Sequence, residues 1–177
     1  MKKLVSICYL ACLLVFFSSC SSDDVDVALE GTWNLSAWQV NTPMDLNSDG
    51  VKSTNLLTEF GYLNNSTLVI TDNFNGSIFY SALHVSFNAV AEGEMLTFMS
   101  TSVTDSDNAP LPFTYTKSDN TIVVDADITL NKVGGSSVLT FKDNTLTMEV
   151  ANGFVVKDSE TSETILSQDV TYVFTKG

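Results

Sequence analysis

The chain has 177 residues, 44% hydrophobic and 16% charged, with eight lysines, no arginine, one histidine and 21 carboxylates, for a formal charge of −13. So acidic a surface repels nucleic acid and anionic head groups and suits cations. The lack of arginine removes the bidentate clamp for phosphate or carboxylate, and one histidine cannot build a histidine-rich metal site.

Residues 1–19 read as a signal peptide: Lys2 and Lys3 supply positive charge, and Leu4 to Phe17 is an apolar run too short for an ordinary membrane span. The run ends in Phe17-Ser18-Ser19-Cys20, where the small serines before the cysteine resemble the lipobox of bacterial lipoproteins, with Phe17 where leucine is usual. That resemblance implies cleavage before Cys20, a lipid (diacylglyceryl, palmitate-type) anchor on its thiol, and attachment to outer-membrane lipid. A plain secretory peptide with an incidental Cys20 shares the same charged and apolar regions. Cys8 and Cys12 fall in the removed segment, leaving no disulfide and no thiolate metal site.

Residues 20–28 form an acidic tether, Ser21-Ser22-Asp23-Asp24-Val25-Asp26. It resembles the segment that some Gram-negative bacteria read as an export signal to the cell surface; a flexible linker at the periplasmic face is the alternative. Once the leader is removed, six lysines stand against 21 carboxylates, a formal charge of about −15. Residues 29–177 are long enough for one domain with a substantial core, expected as a monomer, and they show no internal repeat.

From Gly31 onward the dominant pattern is alternation with period two, the signature of half-buried antiparallel strands. It is clear in GTWNLSAWQV, STLVIT, SIFYSALHVSF, MLTFMSTSV, FTYTKS, TIVVDADITL, SVLTFKD, TLTMEVANGFVV and VTYVFTK. Short connections such as Asn73 to Gly76 and Asp143-Asn144 read as hairpins, whereas Thr104 to Pro112 and Lys157 to Gln168 read as longer loops. The expected fold is all-β: an antiparallel meander of eight or nine strands closed into a barrel, which removes the exposed edges, with one short helix after the first strand.

Gly31-Thr32-Trp33 at the first strand, the meander and the closing strand VTYVFTK resemble the lipocalin-like domains of bacterial lipoproteins. The resemblance implies a cup for a small apolar or amphipathic ligand, with Trp33 closing its floor. Lipocalins stack an arginine on that tryptophan; here Lys176 takes its place or packing alone closes the floor. A barrel of this size is either filled by side chains or holds one ligand. Trp33, Phe79, Phe87, Phe98, Tyr115, Tyr172 and Phe174 are the candidate interior residues, with Leu96, Phe113, Phe141 and Met148 also placed inward. Tyr172 and Phe174 share one face, opposite Thr171 and Val173.

In DLNSDGVKSTNLLTEF, Asp45, Asn47 and Asp49 stand at positions 1, 3 and 5, with Gly50 at 6 and the Val51 carbonyl at 7, matching the first half of an EF-hand calcium loop. Calcium wants six to eight oxygens, and alternate side chains of a curled loop converge on one point. Position 12 is Leu56, not glutamate, and a strand precedes the loop. Ser53 is placed as N-cap of a two-turn helix from which Glu59 supplies the late acid. A polar Asx-rich turn without metal is the alternative. His84 lies in a strand run without a catalytic partner. The pairs Asp125 with Asp127 and Glu92 with Glu94 would serve a hydrolase only in a cleft. The expected function is therefore non-catalytic: ligand binding, or a surface adhesive module with a solid core, with a carboxylate hydrolase as the least favoured reading.

Overall fold

The computed structural model describes residues 28–92, 95–105, 109–130 and 136–177; the leader, Cys20 and the tether as far as residue 27, Glu94 and the middle of the Thr104–Pro112 loop lie outside them. Among the described residues the elements are β1 (Gly31–Met44), β2 (Ser53–Asn55), α1 (Leu56–Glu59), a 3-10 turn (Gly61–Leu63), β3 (Thr67–Ile70), β4 (Asn75–Phe79), β5 (Ala82–Glu92), β6 (Met95–Asp105), β7 (Leu111–Ser118), β8 (Thr121–Val124), β9 (Ser137–Lys142), β10 (Thr145–Asp158) and β11 (Thr164–Lys176). Eight strands close an antiparallel barrel in the order β1-β3-β4-β7-β8-β9-β10-β11, and β11 pairs back onto β1.

Three strands lie outside that ring. Strand β2 pairs with β1, and the β5–β6 hairpin leaves the meander altogether. Strand β4 pairs with β7 instead, and β5 runs parallel to the far half of β10, with Val156 opposite Phe87. The geometry of β10 explains the departure. Its near half, Thr145 to Met148, is covered by the short β9, which leaves the edge of its far half open for β5.

Strand β1 carries the phase change on which the interior depends. Leu35 pairs with Phe174 and Ala37 with Val173, so Ser36 is an extra residue, and its hydroxyl donates to the Val173 carbonyl at 3.0 Å. A bulge of one residue swaps the faces of everything beyond it. Trp33 and Leu35 point inward before it, and Trp38 and Val40 after it. Strict alternation would have sent the two tryptophans to opposite sides.

At one end of the barrel the indole of Trp33 donates to the Leu29 carbonyl at 2.9 Å and meets Phe141 edge to face. Lys176, its register partner, lies with its ammonium 5.4 Å from the ring centre and donates to the Ala28 carbonyl. Of the two ways to close the floor without arginine, the lysine is the one present; its charge is attracted to the electron-rich indole face. The other end is plugged by α1 and the 3-10 turn, which bury Leu56, Leu57, Phe60 and Leu63.

The run TIVVDADITL is a strand only to Val124. The Asp127 carboxylate accepts from the Thr129 amide (2.9 Å) and hydroxyl (2.5 Å), a local turn that competes with the ladder. Ile128 and Leu130 remain buried beyond it.

At Gly76, on β4, the ring of Phe113 and the Val69 carbonyl press so close that an added Cβ would lie 2.4 Å from one and 2.6 Å from the other. Gly76→Ala is expected to lower stability by about 1 to 3 kcal/mol, the usual cost of overpacking, with partial rescue by Phe113→Leu. Urea unfolding measures both, and an unchanged midpoint in Gly76→Ala would contradict this packing.

Candidate functional site

The candidate interior residues divide by where the fold puts them. Trp33, Phe87, Tyr115, Tyr172 and Phe174 are buried in the core, together with Phe113 and Met148. Phe79 is half-buried, because β4 turns Ile78 and Tyr80 inward on either side of it. Leu96 and Phe98, expected inside the barrel, are half-buried on β6, which lies outside the ring, and Phe141 is half-buried as well. Alternation did not place Trp38, which enters through the bulge, Phe60, which enters through the plug, or Tyr80, which takes the place expected of Phe79; Phe154 keeps the phase of Leu146, Met148 and Val150 across the break in the β10 ladder.

These rings touch in an unbroken series. Phe60 meets Phe87 at 5.0 Å between centroids, Phe87 meets Phe154 at 4.9 Å, and Trp38 bridges Phe87 (6.4 Å) and Tyr172 (6.2 Å). Tyr80 continues it at 6.2 Å from Tyr172. Separations of 4.5 to 7 Å are those of aromatic contact, so the side chains occupy the space a ligand would need. The two phenols also have structural work. Tyr80 donates to the Ile128 carbonyl at 2.9 Å, and Tyr172 accepts from the Leu130 amide at 3.2 Å, which satisfies backbone that has left the ladder.

Among the described residues, three grooves lie elsewhere. A groove of about 600 Å³ runs between the end of β1, the loop after it, β6 and β11, lined by Pro43, Met44, Leu96, Phe98 and Leu166, with Asp45 and Lys52 among its polar residues. That volume is in the range of small-molecule sites. Two smaller grooves, about 440 and 290 Å³, are more polar; the first is bordered by Asn41, Glu149, Asp169 and Thr171.

The loop beside the large groove is Asp45 to Lys52. Asp45 accepts from the Asp49 amide (3.1 Å) and the Gly50 amide (2.9 Å) through its two oxygens. Asn47 Oδ1 accepts from the same Asp49 amide at 3.0 Å, which brings the Asp45 and Asn47 oxygens side by side. The Asp49 carboxylate accepts from the Val51 amide (2.8 Å) and the Asn47 amide nitrogen (3.1 Å). Asp45 and Asn47 thus share one amide donor, while Asp49 turns to the Val51 amide and Asn47 Nδ2, so a network of Asx turns holds the loop. Glu59, buried on α1, accepts from the Leu46 amide at 2.9 Å and that of Asn47 at 3.4 Å, which pegs the loop to the plug. Among the described residues no three His, Cys, Asp or Glu side chains form a metal-holding group.

Asn55, not Ser53, caps the helix, which has one turn instead of two. The Asn55 side chain accepts from the Leu57 amide (3.2 Å) and the Trp38 amide (3.0 Å), tying plug to β1. Its signal was present as an Asx residue immediately before the apolar pair. Of the paired carboxylates, exposed Asp125 accepts from Thr114 and Asp127 holds Thr129, while Glu94 lies outside the described residues. His84 is paired with Thr104 in the β5–β6 ladder. Comparisons of the chain with protein-family models, with curated proteins and with solved structures find no match.

Burial pushes the pKa values of Tyr80 and Tyr172 well above the ordinary phenol value; Tyr172 and the charge of Asp127 add to the rise at Tyr80, and at Tyr172 the Leu130 amide opposes the rise while Asp127 adds to it. A folded value above the unfolded value near 10 means that this stabilisation is complete below about pH 10 and is lost as the pH rises through the folded values. Absorbance at 295 nm should therefore show two phenols ionising only as the chain unfolds. If all of them titrated near pH 10 in the folded chain, the buried pair would be refuted.

Proposed function

We propose that this protein is a non-catalytic, lipid-anchored protein of the cell envelope, whose lipocalin-like barrel is a solid support for a binding groove outside it, beside its plugged end. The observation that carries the reading is the aromatic interior, which leaves the apolar groove beside the Asp45 to Lys52 loop as the place for an apolar or amphipathic ligand. The lipobox-like sequence before Cys20 and the acidic tether support an anchor in the outer membrane, displayed at the surface. The tether joins at Ala28, beside the Trp33 floor, while the groove begins at Thr42, near the other end of β1. At about 3.3 Å per residue, these points are roughly 40 Å apart along the strand. An anchored protein would thus turn its groove away from the bilayer.

Calcium fits the loop by the chemistry of its donors: the Asp45 and Asn47 oxygens meet at one shared amide, Asp49 follows two residues on, and all are hard oxygen ligands. Asp45, Asn47, Asp49 and the Val51 carbonyl would hold the ion, with Glu59 fixing the loop from below. Bound calcium supplies a brace, offsetting repulsion between the loop carboxylates and stiffening one wall of the groove.

Two measurements on the intact chain test this. Calcium at 100 times its dissociation constant is expected to add about 2.7 kcal/mol of stability over chelator, and the gain should vanish in an Asp45→Ala, Asp49→Ala double variant; equal melting with and without calcium would remove the ion. N-phenyl-1-naphthylamine, a neutral apolar fluorophore, is expected to brighten on binding, and Leu166→Asp should weaken it about tenfold or more, which is about 1.4 kcal/mol. Binding indifferent to that substitution would contradict the groove.

A further inference from the structure

Strand β6 stands at the end of the sheet path, and among the described residues it pairs with β5 alone. Its other edge presents a row of backbone donors and acceptors. Proteins usually guard such an edge with lysine, proline or extreme shortness. Here the ten residues from Met95 to Thr104 contain no charge, no proline and no glycine. The one protective device is the extra residue Met99, between the pairs Asn88–Ser100 and Ala89–Phe98, and it leaves Met99 62% exposed.

The groove meets this edge. Leu96, Thr97 and Phe98 all line it. Successive side chains of a strand alternate faces, so a groove that touches three in a row reaches the rim of the strand. A strand added along β6 would make main-chain hydrogen bonds while dropping alternate side chains among Pro43, Met44 and Leu166. Backbone pairing with pockets for alternate residues is an established way of recognising extended peptides.

Charge selects the occupant. The hairpin carries Glu92 and Asp105 at its ends, and Asp45 borders the groove, in a chain of net charge −13. A second copy pairing antiparallel through β6 would bring the Glu92 end of one chain toward the Asp105 end of the other, like charge against like. We infer that β6 and the groove together take up an extended polypeptide segment that has an apolar, β-prone centre and lysine or arginine flanks. This rests on the reading of the groove as the binding face and adds the class of partner.

The test is selection of a displayed library of random 12-residue peptides on the intact protein in calcium-containing buffer, followed by anisotropy titration of the enriched peptides and sedimentation of the protein alone. Successive N–H groups alternate between the β5 side and the open side, so of the prolines at Thr101 and at Ser102, made separately, one blocks the edge while sparing the ladder. Should neither fold, Thr97→Lys with Met99→Lys places charge on exposed positions of the same strand. Enrichment of basic-flanked β-prone peptides, bound at least tenfold more weakly by the edge variants, is the expected result. No enrichment, or binding indifferent to the edge variants, overturns strand addition. If naphthylamine binding still responds to Leu166→Asp in that case, the groove reading survives. Self-association abolished by the edge proline overturns the peptide in favour of a second copy.

Discussion

The barrel depends on the change of phase in β1 at Ser36. One residue without a partner lets Trp33 and Trp38 face the same interior from a single strand, five positions apart. Without it, one indole would face solvent, and the pairing with β11 that closes the ring would carry the wrong side chains inward beyond Leu35. The two tryptophans then divide the interior. Trp33 makes the floor with Lys176 and Phe141, while Trp38 joins Phe87 to Tyr172 and so links the plug to the far wall.

A filled interior determines what the rest of the molecule is able to do. The hydroxyls of Tyr80 and Tyr172 point at backbone between β8 and β9 that would otherwise be buried without hydrogen bonds. Emptying the barrel for a ligand would strand those groups, each at a cost of about 1 to 3 kcal/mol. The apolar space lies where elements outside the ring meet it, between β6, the end of β1 and β11. Its nearby wall is a loop secured from two directions, by its own Asx hydrogen bonds and by Glu59 from the plug. The same plug is tied through Asn55 to the amide of Trp38. Loop, plug and core therefore form one mechanical unit.

Much of this was legible in the residues. Alternation placed Tyr172 and Phe174 inward and Thr171 and Val173 outward, and Asp45, Asn47 and Asp49 around Gly50 marked the polar turn that they form. Asp143-Asn144 read as a tight hairpin, and both residues take positive φ, 49° and 61°. What escaped the reading was produced by tertiary context. A bulge has no sequence mark at Ser36, so Trp38 could not be assigned; β4 is shifted by one residue relative to expectation, so Tyr80 replaced Phe79 in the core. The exchange of β7 for β5 beside β4 depends on which strand edges remain open after β9 ends. The groove joins positions as distant in sequence as Pro43 and Leu166, and no local pattern brings those together.

The claim at the centre of this account is that the barrel is solid and binding occurs outside it. Methyl-labelled NMR spectra recorded while N-phenyl-1-naphthylamine is titrated onto the protein test it directly, because methyl groups report from both places. The account predicts shifts at Met44, Leu96 and Leu166 with Leu68, Ile78 and Leu146 unmoved. Shifts centred on Leu68, Ile78 and Leu146 would place the ligand inside the barrel and contradict it.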